Sequence, residues 1–309
     1  VVILKTDILK ISCLFFLVLG LTCFSQAAKE KAWTPIELPM HLPERVEVEG
    51  KLIPFVLDTA STGKGEIFLP KNYHPDKRGL DILVHFHSPG WLIRQEMMKE
   101  NRSAIVVSVN YPGLSSSYRI PFSEDTELFK KILADTISAA TAQYPEAPPK
   151  VRILTLASFS AGYGAIREIL KSPEYYRQTR EIILMDSLYA GIEDTTSRKL
   201  VEKDVEPFIP FLNDAVKGKK TFISSHSAQL PETYAGTPET NQYLIKKAHG
   251  KTQVVINNPD EVMNQSGKLW LACDVNRFRV RGYTGQDILA HSGHLYAFRY
   301  WLRPCQIGK

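Results

Sequence analysis

Residues 151–170, VRILTLASFSAGYGAIREIL, constrain this chain more than any other stretch. Residues 151–156 are an apolar, β-branched run of strand length. The segment Ala157-Ser158-Phe159-Ser160-Ala161-Gly162 then makes a tight turn, and a helical pattern follows. Tyr163, Ile166 and Leu170 share one face of that pattern; Arg167 and Glu168 lie on the other. Strand, sharp turn and helix form the backbone that a nucleophile elbow requires. Ser160 stands at the tip, where the backbone is strained and the residues two before and two after must be small. Gly162 meets that need, and Ser158, where glycine is usual, is still small. The helix start would aim backbone N–H groups, that of Ala161 first, at a developing oxyanion. Ser-x-Ser-x-Gly also occurs as an ordinary turn and helix cap, so the rest of the chain must decide.

The surrounding segments give that turn a sheet to stand on. Residues 51–57 and 65–69 read as two early strands, 81–87 (DILVHFH) and 104–109 (AIVVSV) as buried ones. Residues 181–185 and 220–225 add two more. Apolar strands without polar alternation, separated by helices, point to an α/β chain with a mostly parallel central sheet and helices on both faces. Helices are expected over 124–142, 237–248 and 295–302, the last preceded by a His291-Ser292-Gly293-His294 loop. Residues 267–282 carry the last strand or hairpin, whose alternating Arg277, Arg279 and Arg281 suit an edge strand with one wet face. Residues 192–219 contain the apolar run 208–212, read as a packed helix, with a small cap over the site as the alternative. Nothing resembles a linker or an internal repeat, so one catalytic domain over 28–309 is expected.

Residues 1–27 have the features of a secretory leader: Lys5 and Lys10, an apolar run over 11–24, and small residues before a cleavage point after Ala27. An uncleaved anchor is the alternative. Cleavage would leave a secreted or periplasmic protein with no membrane span. Two cysteines then remain, Cys273 and Cys305. Export would let them form one disulfide; two buried thiols are the alternative. The formal charge of +5 is spread among interspersed acidic and basic residues, which gives nucleic-acid binding little support. The histidines show no metal-ligand spacing and no glycine-rich phosphate loop occurs, so neither a metal nor a cofactor is expected.

The chain resembles the α/β-hydrolase superfamily from about residue 65 to 302. The resemblance is carried by His85-Phe86-His87-Ser88-Pro89-Gly90, the Ser158–Gly162 elbow, Met185-Asp186 and Gly293-His294. Their order, serine, acid, histidine, is that of the superfamily. A serine hydroxyl needs a base within reach, a histidine can take the proton near neutral pH, and a carboxylate fixes the histidine tautomer. The resemblance implies His294 as base, since it follows a glycine before the last helix, with His291 as the rival. Asp186, directly after an apolar strand, is the expected acid. Glu232, the first carboxylate after the strand ending at His226, is the alternative, and His226 would then line the pocket. The second oxyanion donor departs from the superfamily pattern. Pro89 has no N–H, so Ser88, Gly90 or Trp91 must supply it, and His87 is read as bracing the loop.

These features imply a secreted serine hydrolase acting on a small or polymeric carboxylic ester through an acyl-enzyme. A serine peptidase or an acyltransferase would use the same triad. A catalytically silent ligand-binding domain is the alternative from another class, kept open by the Ser88-Pro89 step.

Overall fold

The apolar runs become the middle of a ten-stranded sheet. In the computed structural model, which describes residues 43–57, 63–254 and 267–309, the strands are β1 (Gly50–Val56), β2 (Lys64–Pro70), β3 (Leu80–Phe86), β4 (Ile105–Asn110), β5 (Val151–Phe159), β6 (Thr179–Met185), β7 (Thr221–His226), β8 (Gln253–Val254), β9 (Leu269–Val275) and β10 (Phe278–Tyr283). Their order across the sheet is β1-β2-β4-β3-β5-β6-β7-β10-β9-β8. The six strands from β4 to β10 in that order run parallel, and β1, β2, β9 and β8 flank them in antiparallel pairs. The leader expected over residues 1–27 lies outside the described residues. Among the described residues no helix is long and apolar enough to cross a membrane.

The helices are α1 (Gly90–Lys99), α2 (Ser115–Glu124), α3 (Leu128–Gln143), α4 (Tyr163–Ile169), α5 (Pro173–Gln178), α6 (Ile209–Val216), α7 (Thr237–Lys247), α8 (Ile288–Tyr296) and α9 (Phe298–Leu302). They cover both faces of the sheet, as the strands' lack of polar alternation requires. Leu80, Ile82, Val84 and Phe86 of β3 join one core cluster with residues of α2, α3, α4, α6 and α7. The residues between them point the other way, where the His85 ring meets Phe298 edge-on at 5.9 Å and α1 packs on α9. This is the α/β-hydrolase architecture, with the crossover helices divided between the two faces. Full burial of each large apolar side chain contributes about 1.5–3 kcal/mol, and Phe86, Phe208, Phe211, Phe222 and Phe278 are all inaccessible to solvent.

Four local expectations need correction or completion. The helix expected over 124–142 begins later, as α3, because the chain is extended at Asp125, where a separate and unexpected helix, α2, ends. The Asp125 carboxylate accepts the Glu127 N–H at 2.9 Å and turns the chain into α3. Strand β10 is not an edge strand: it lies between β7 and β9. Arg281 buries its stem there, its guanidinium forked onto Asp274 of β9 at 2.7 and 2.9 Å, so its charge needs no wet face. Residues 208–212 are a packed helix segment, with Phe211 edge-on to Phe222 at 6.0 Å. Cys273 and Cys305 are buried free thiols, not a disulfide. Cys273 packs in the core cluster beside Gly250, whereas the Cys305 thiol is turned to the Trp301 carbonyl at 3.5 Å. Burial pushes both thiols up, so neither is a ready thiolate.

Candidate active site

β5 ends at Phe159 and α4 begins at Tyr163, which leaves Ser160 on the turn between them. Ser160 has φ 48°, in the left-handed region that costs a residue with a side chain of order 1–3 kcal/mol. A Cβ on Gly162 would lie 2.5 Å from the Phe86 carbonyl oxygen, so that position admits only glycine. Ser158 is tolerated where glycine is usual because its hydroxyl is used. It lies 2.8 Å from the Ser187 hydroxyl, and Ser187 donates to the Ser160 carbonyl at 2.8 Å. Since the Ser187 proton is committed to that carbonyl, Ser158 is the donor of the first bond.

Asp186 follows β6 with φ 42° and is fully buried. One carboxylate oxygen accepts the Ser227 N–H at 2.9 Å and the Thr237 hydroxyl. The other is 2.7 Å from His291 Nδ1. Burial pushes this carboxyl up, but His294, His291 and the Thr237 hydroxyl outweigh it and hold the group below the usual carboxylate range. A carboxylate can only accept, so His291 carries its proton on Nδ1 and leaves Nε2 as the basic nitrogen. Phe159 supports this ring from one side, 4.5 Å away and tilted by 33°. His87 stacks beyond Phe159 at 6.0 Å and is tied to the Tyr118 hydroxyl through Nδ1 at 2.7 Å.

The hydrogen bond expected between Asp186 and His294 is therefore made by His291. The reason is helix register. Asp287 caps α8 by accepting the Ala290 N–H at 2.8 Å, so both histidines and Gly293 lie inside a helix, not in a loop before one. His291 falls in its early turns, against Asp186. His294 is fully buried, with Nδ1 2.9 Å from the Ser225 hydroxyl and Nε2 without a partner. An Asp three residues before an Ala at the start of an apolar run was the available N-cap signal. Glu232 is exposed, and only its backbone carbonyl is engaged, by Arg198. His226 is buried, with Nδ1 on the Ser227 carbonyl at 2.8 Å, and does not line the cavity at Ser160.

Ser88 and Gly90 are also placed away from that cavity. The Ser88 N–H donates to Asn110 Oδ1 at 2.9 Å, and its hydroxyl faces His85 Nδ1 at 2.8 Å. Gly90 opens α1, buried so close to Glu66 that a Cβ there would collide with the carboxylate. The cavity, about 430 Å³, is lined by Ser160, Ala161 and His291 together with Tyr163, Tyr189 and Tyr234. Sequence reasoning passed over Tyr189. Its hydroxyl donates to the Asp186 carbonyl at 3.3 Å and stands beside the Ser160 side chain. Burial and the Asp186 charge push this phenol far up, so it stays a neutral donor. Leu188, just before it, has φ 89°, a second strained non-glycine residue within the same short loop as Asp186.

Buried histidines give the site an acid sensitivity of known sign. Burial lowers His85 to about 3 and His294 to about 4, and it also lowers His226. The unfolded chain protonates them near 6.5, so between about pH 6.5 and 4 it binds more protons than the folded one. Stability therefore falls as pH falls through that window, by up to about 1.4 kcal/mol per pH unit for each fully differential histidine. Asp186 contributes with the same sign at lower pH: its stabilisation is lost only below the window, as pH falls from the unfolded carboxyl range through its lowered folded value. Urea unfolding at pH 7.5 and 5.0 should give a clearly lower midpoint at pH 5.0; equal midpoints would refute the buried neutral state.

No family model matches the chain, and no curated protein matches it. Solved structures do. A feruloyl esterase module from Clostridium thermocellum, solved with sinapinate, is 11% identical, with 89% of this chain and 96% of that chain covered and a TM-score of 0.46. An esterase from Rhizomucor miehei is 14% identical over 86% and 85% of the two chains, TM-score 0.46. An acetyl xylan esterase from Aspergillus awamori is 13% identical over 81% and 100%, TM-score 0.44. At such identities the chemistry must come from this chain's own site.

Proposed function

We propose that the chain is a secreted serine hydrolase that cleaves carboxylic esters, with Ser160 as nucleophile, His291 as base and Asp186 as the group that orients the base. The observation that carries this reading is the 2.7 Å bond from Asp186 to His291, at the sheet edge where Ser160 stands on a positive-φ turn. Ser160 Oγ adds to the ester carbonyl while its proton passes to His291 Nε2. The imidazolium is stabilised by the Asp186 carboxylate and then returns the proton to the departing alkoxide. That leaves an acyl group on Ser160, which a water activated by His291 removes.

The oxyanion needs donors fixed before reaction. The Ala161 N–H, at the start of the helix, is one. With the Ser88 N–H committed to Asn110, the Tyr189 phenol is the second: it stands beside Ser160, and its hydroxyl turns from the Asp186 carbonyl to the oxyanion as that charge forms. The wall of Tyr163, Tyr189 and Tyr234 leaves room for a substrate group with an apolar body. A panel of p-nitrophenyl esters, thioesters and peptides tests the class. Turnover of esters, with Tyr189→Phe lowering kcat by about 10- to 100-fold and KM changing little, is expected. Turnover of peptides alone would overturn the ester assignment; an unchanged kcat in Tyr189→Phe would remove the phenol from the oxyanion site.

A further inference from the structure

At the opposite edge of the sheet the parallel strands begin around a second cavity, about 640 Å³. It is lined by residues at the starts of β5, β6 and β7 and by Arg277 just before β10. The length of β5 sets it about 25–30 Å from Ser160. Seven cationic side chains face it: Arg78, Lys150, Arg152, Arg180, Lys219, Lys220 and Arg277. Three are committed. Arg78 is held by Asp76 and Arg152 by Asp81, and Lys220 Nζ is turned to the backbone carbonyls of Tyr176 and Thr179.

The other four, Lys150, Arg180, Lys219 and Arg277, have no side-chain hydrogen bond or ion pair among the described residues. Glu181 is the one carboxylate in the lining, and it is already occupied by the Thr155 hydroxyl and the N–H groups of Gln306 and Ile307. A separate observation points to a missing acceptor. Thr221, 2% exposed and part of the lining, has a buried hydroxyl without any partner, and a buried polar atom left unsatisfied costs about 1–3 kcal/mol.

We propose that this cavity is an anion site that binds a ligand carrying two or more phosphate or sulfate groups. Four cations without a hydrogen-bonded counter-charge in one recess repel each other. Glu181 offsets only part of that charge through Arg277, and a ligand with a single carboxylate would leave most of the rest unbalanced. A tetrahedral oxyanion offers several acceptors at once, which suits the guanidinium forks of Arg180 and Arg277 and leaves an oxygen for the Thr221 hydroxyl. The site is separate from the ester chemistry and does not depend on it.

Calorimetric titration of the full chain with inorganic pyrophosphate at low ionic strength tests the site. Saturable one-to-one binding is expected, and the paired substitution Arg180→Gln with Arg277→Gln should weaken it tenfold or more. Thr221→Val should weaken it by a smaller factor. Ser160→Ala and Lys130→Gln, the latter on a remote exposed ion pair, should bind as the unaltered chain does. Thermal melts of each variant confirm that it is folded. Lack of saturation, an unchanged affinity in the folded paired variant, or an equal loss in Lys130→Gln would overturn the proposal. Competition by a heparin tetrasaccharide would assign the groups to a sulfated polymer; failure of that sugar to displace pyrophosphate would assign them to a small phosphate ester.

Discussion

Ser160→Ala is expected to abolish labelling by a fluorophosphonate and to lower kcat by about 10⁴-fold or more, with the fold intact. The hydroxyl sits where a strand hands over to a helix, on a backbone with φ 48° that no neighbouring contact requires a serine to adopt. Alanine keeps the Cβ and the turn, so the loss would report the chemistry alone. Removal of the attacking group from a triad costs several orders of magnitude. Mass analysis of the labelled chain places the adduct. Labelling that persists in Ser160→Ala, or an adduct on Ser158, would overturn the assignment.

The two histidines of α8 should separate cleanly. His291→Ala is expected to lower kcat by about 10⁴-fold, because it removes both the proton acceptor and the partner of Asp186. His294→Ala should leave kcat within about tenfold of the unaltered enzyme but lower stability by about 1–3 kcal/mol, through a lost hydrogen bond and a cavity beside Ser225 and Tyr283. Steady-state rates and urea unfolding, measured on the same preparations, make the comparison. If His294→Ala is folded yet loses as much rate as His291→Ala, the assignment of His291 as base is wrong.

The parallel strands were legible because burial on both faces leaves an unbroken apolar run, and β3, β4 and β5 carry such runs. The elbow was legible because its geometry restricts residue size at fixed offsets from Ser160. The histidine was not. Which of two imidazoles three residues apart meets a carboxylate depends on where the helix starts, and a single Asp287 side chain decides that. The oxyanion donors were hidden for another reason. Whether the Ser88 N–H is available depends on Asn110, 22 residues away in sequence, which takes it. Arg281 misled because a charged residue reads as exposed until its partner Asp274, on the neighbouring strand, is known. The cysteines misled because pairing in an oxidising compartment also needs proximity, which spacing along the chain does not report.

The hydroxyl relay from Ser158 through Ser187 to the Ser160 carbonyl joins the turn that bears Ser160 to the loop that bears Asp186. These two segments follow different strands, β5 and β6. They are stitched to each other through Ser158 and Ser187, neither of which lines the cavity at Ser160. Thermal motion would then carry Ser160 and Asp186 together as one block, leaving the helix that holds His291 as the independently moving part. The reach from His291 to Ser160 is accordingly set by how α8 docks, so on the proposed mechanism a neighbour that presses on α8 would tune the rate without touching either serine.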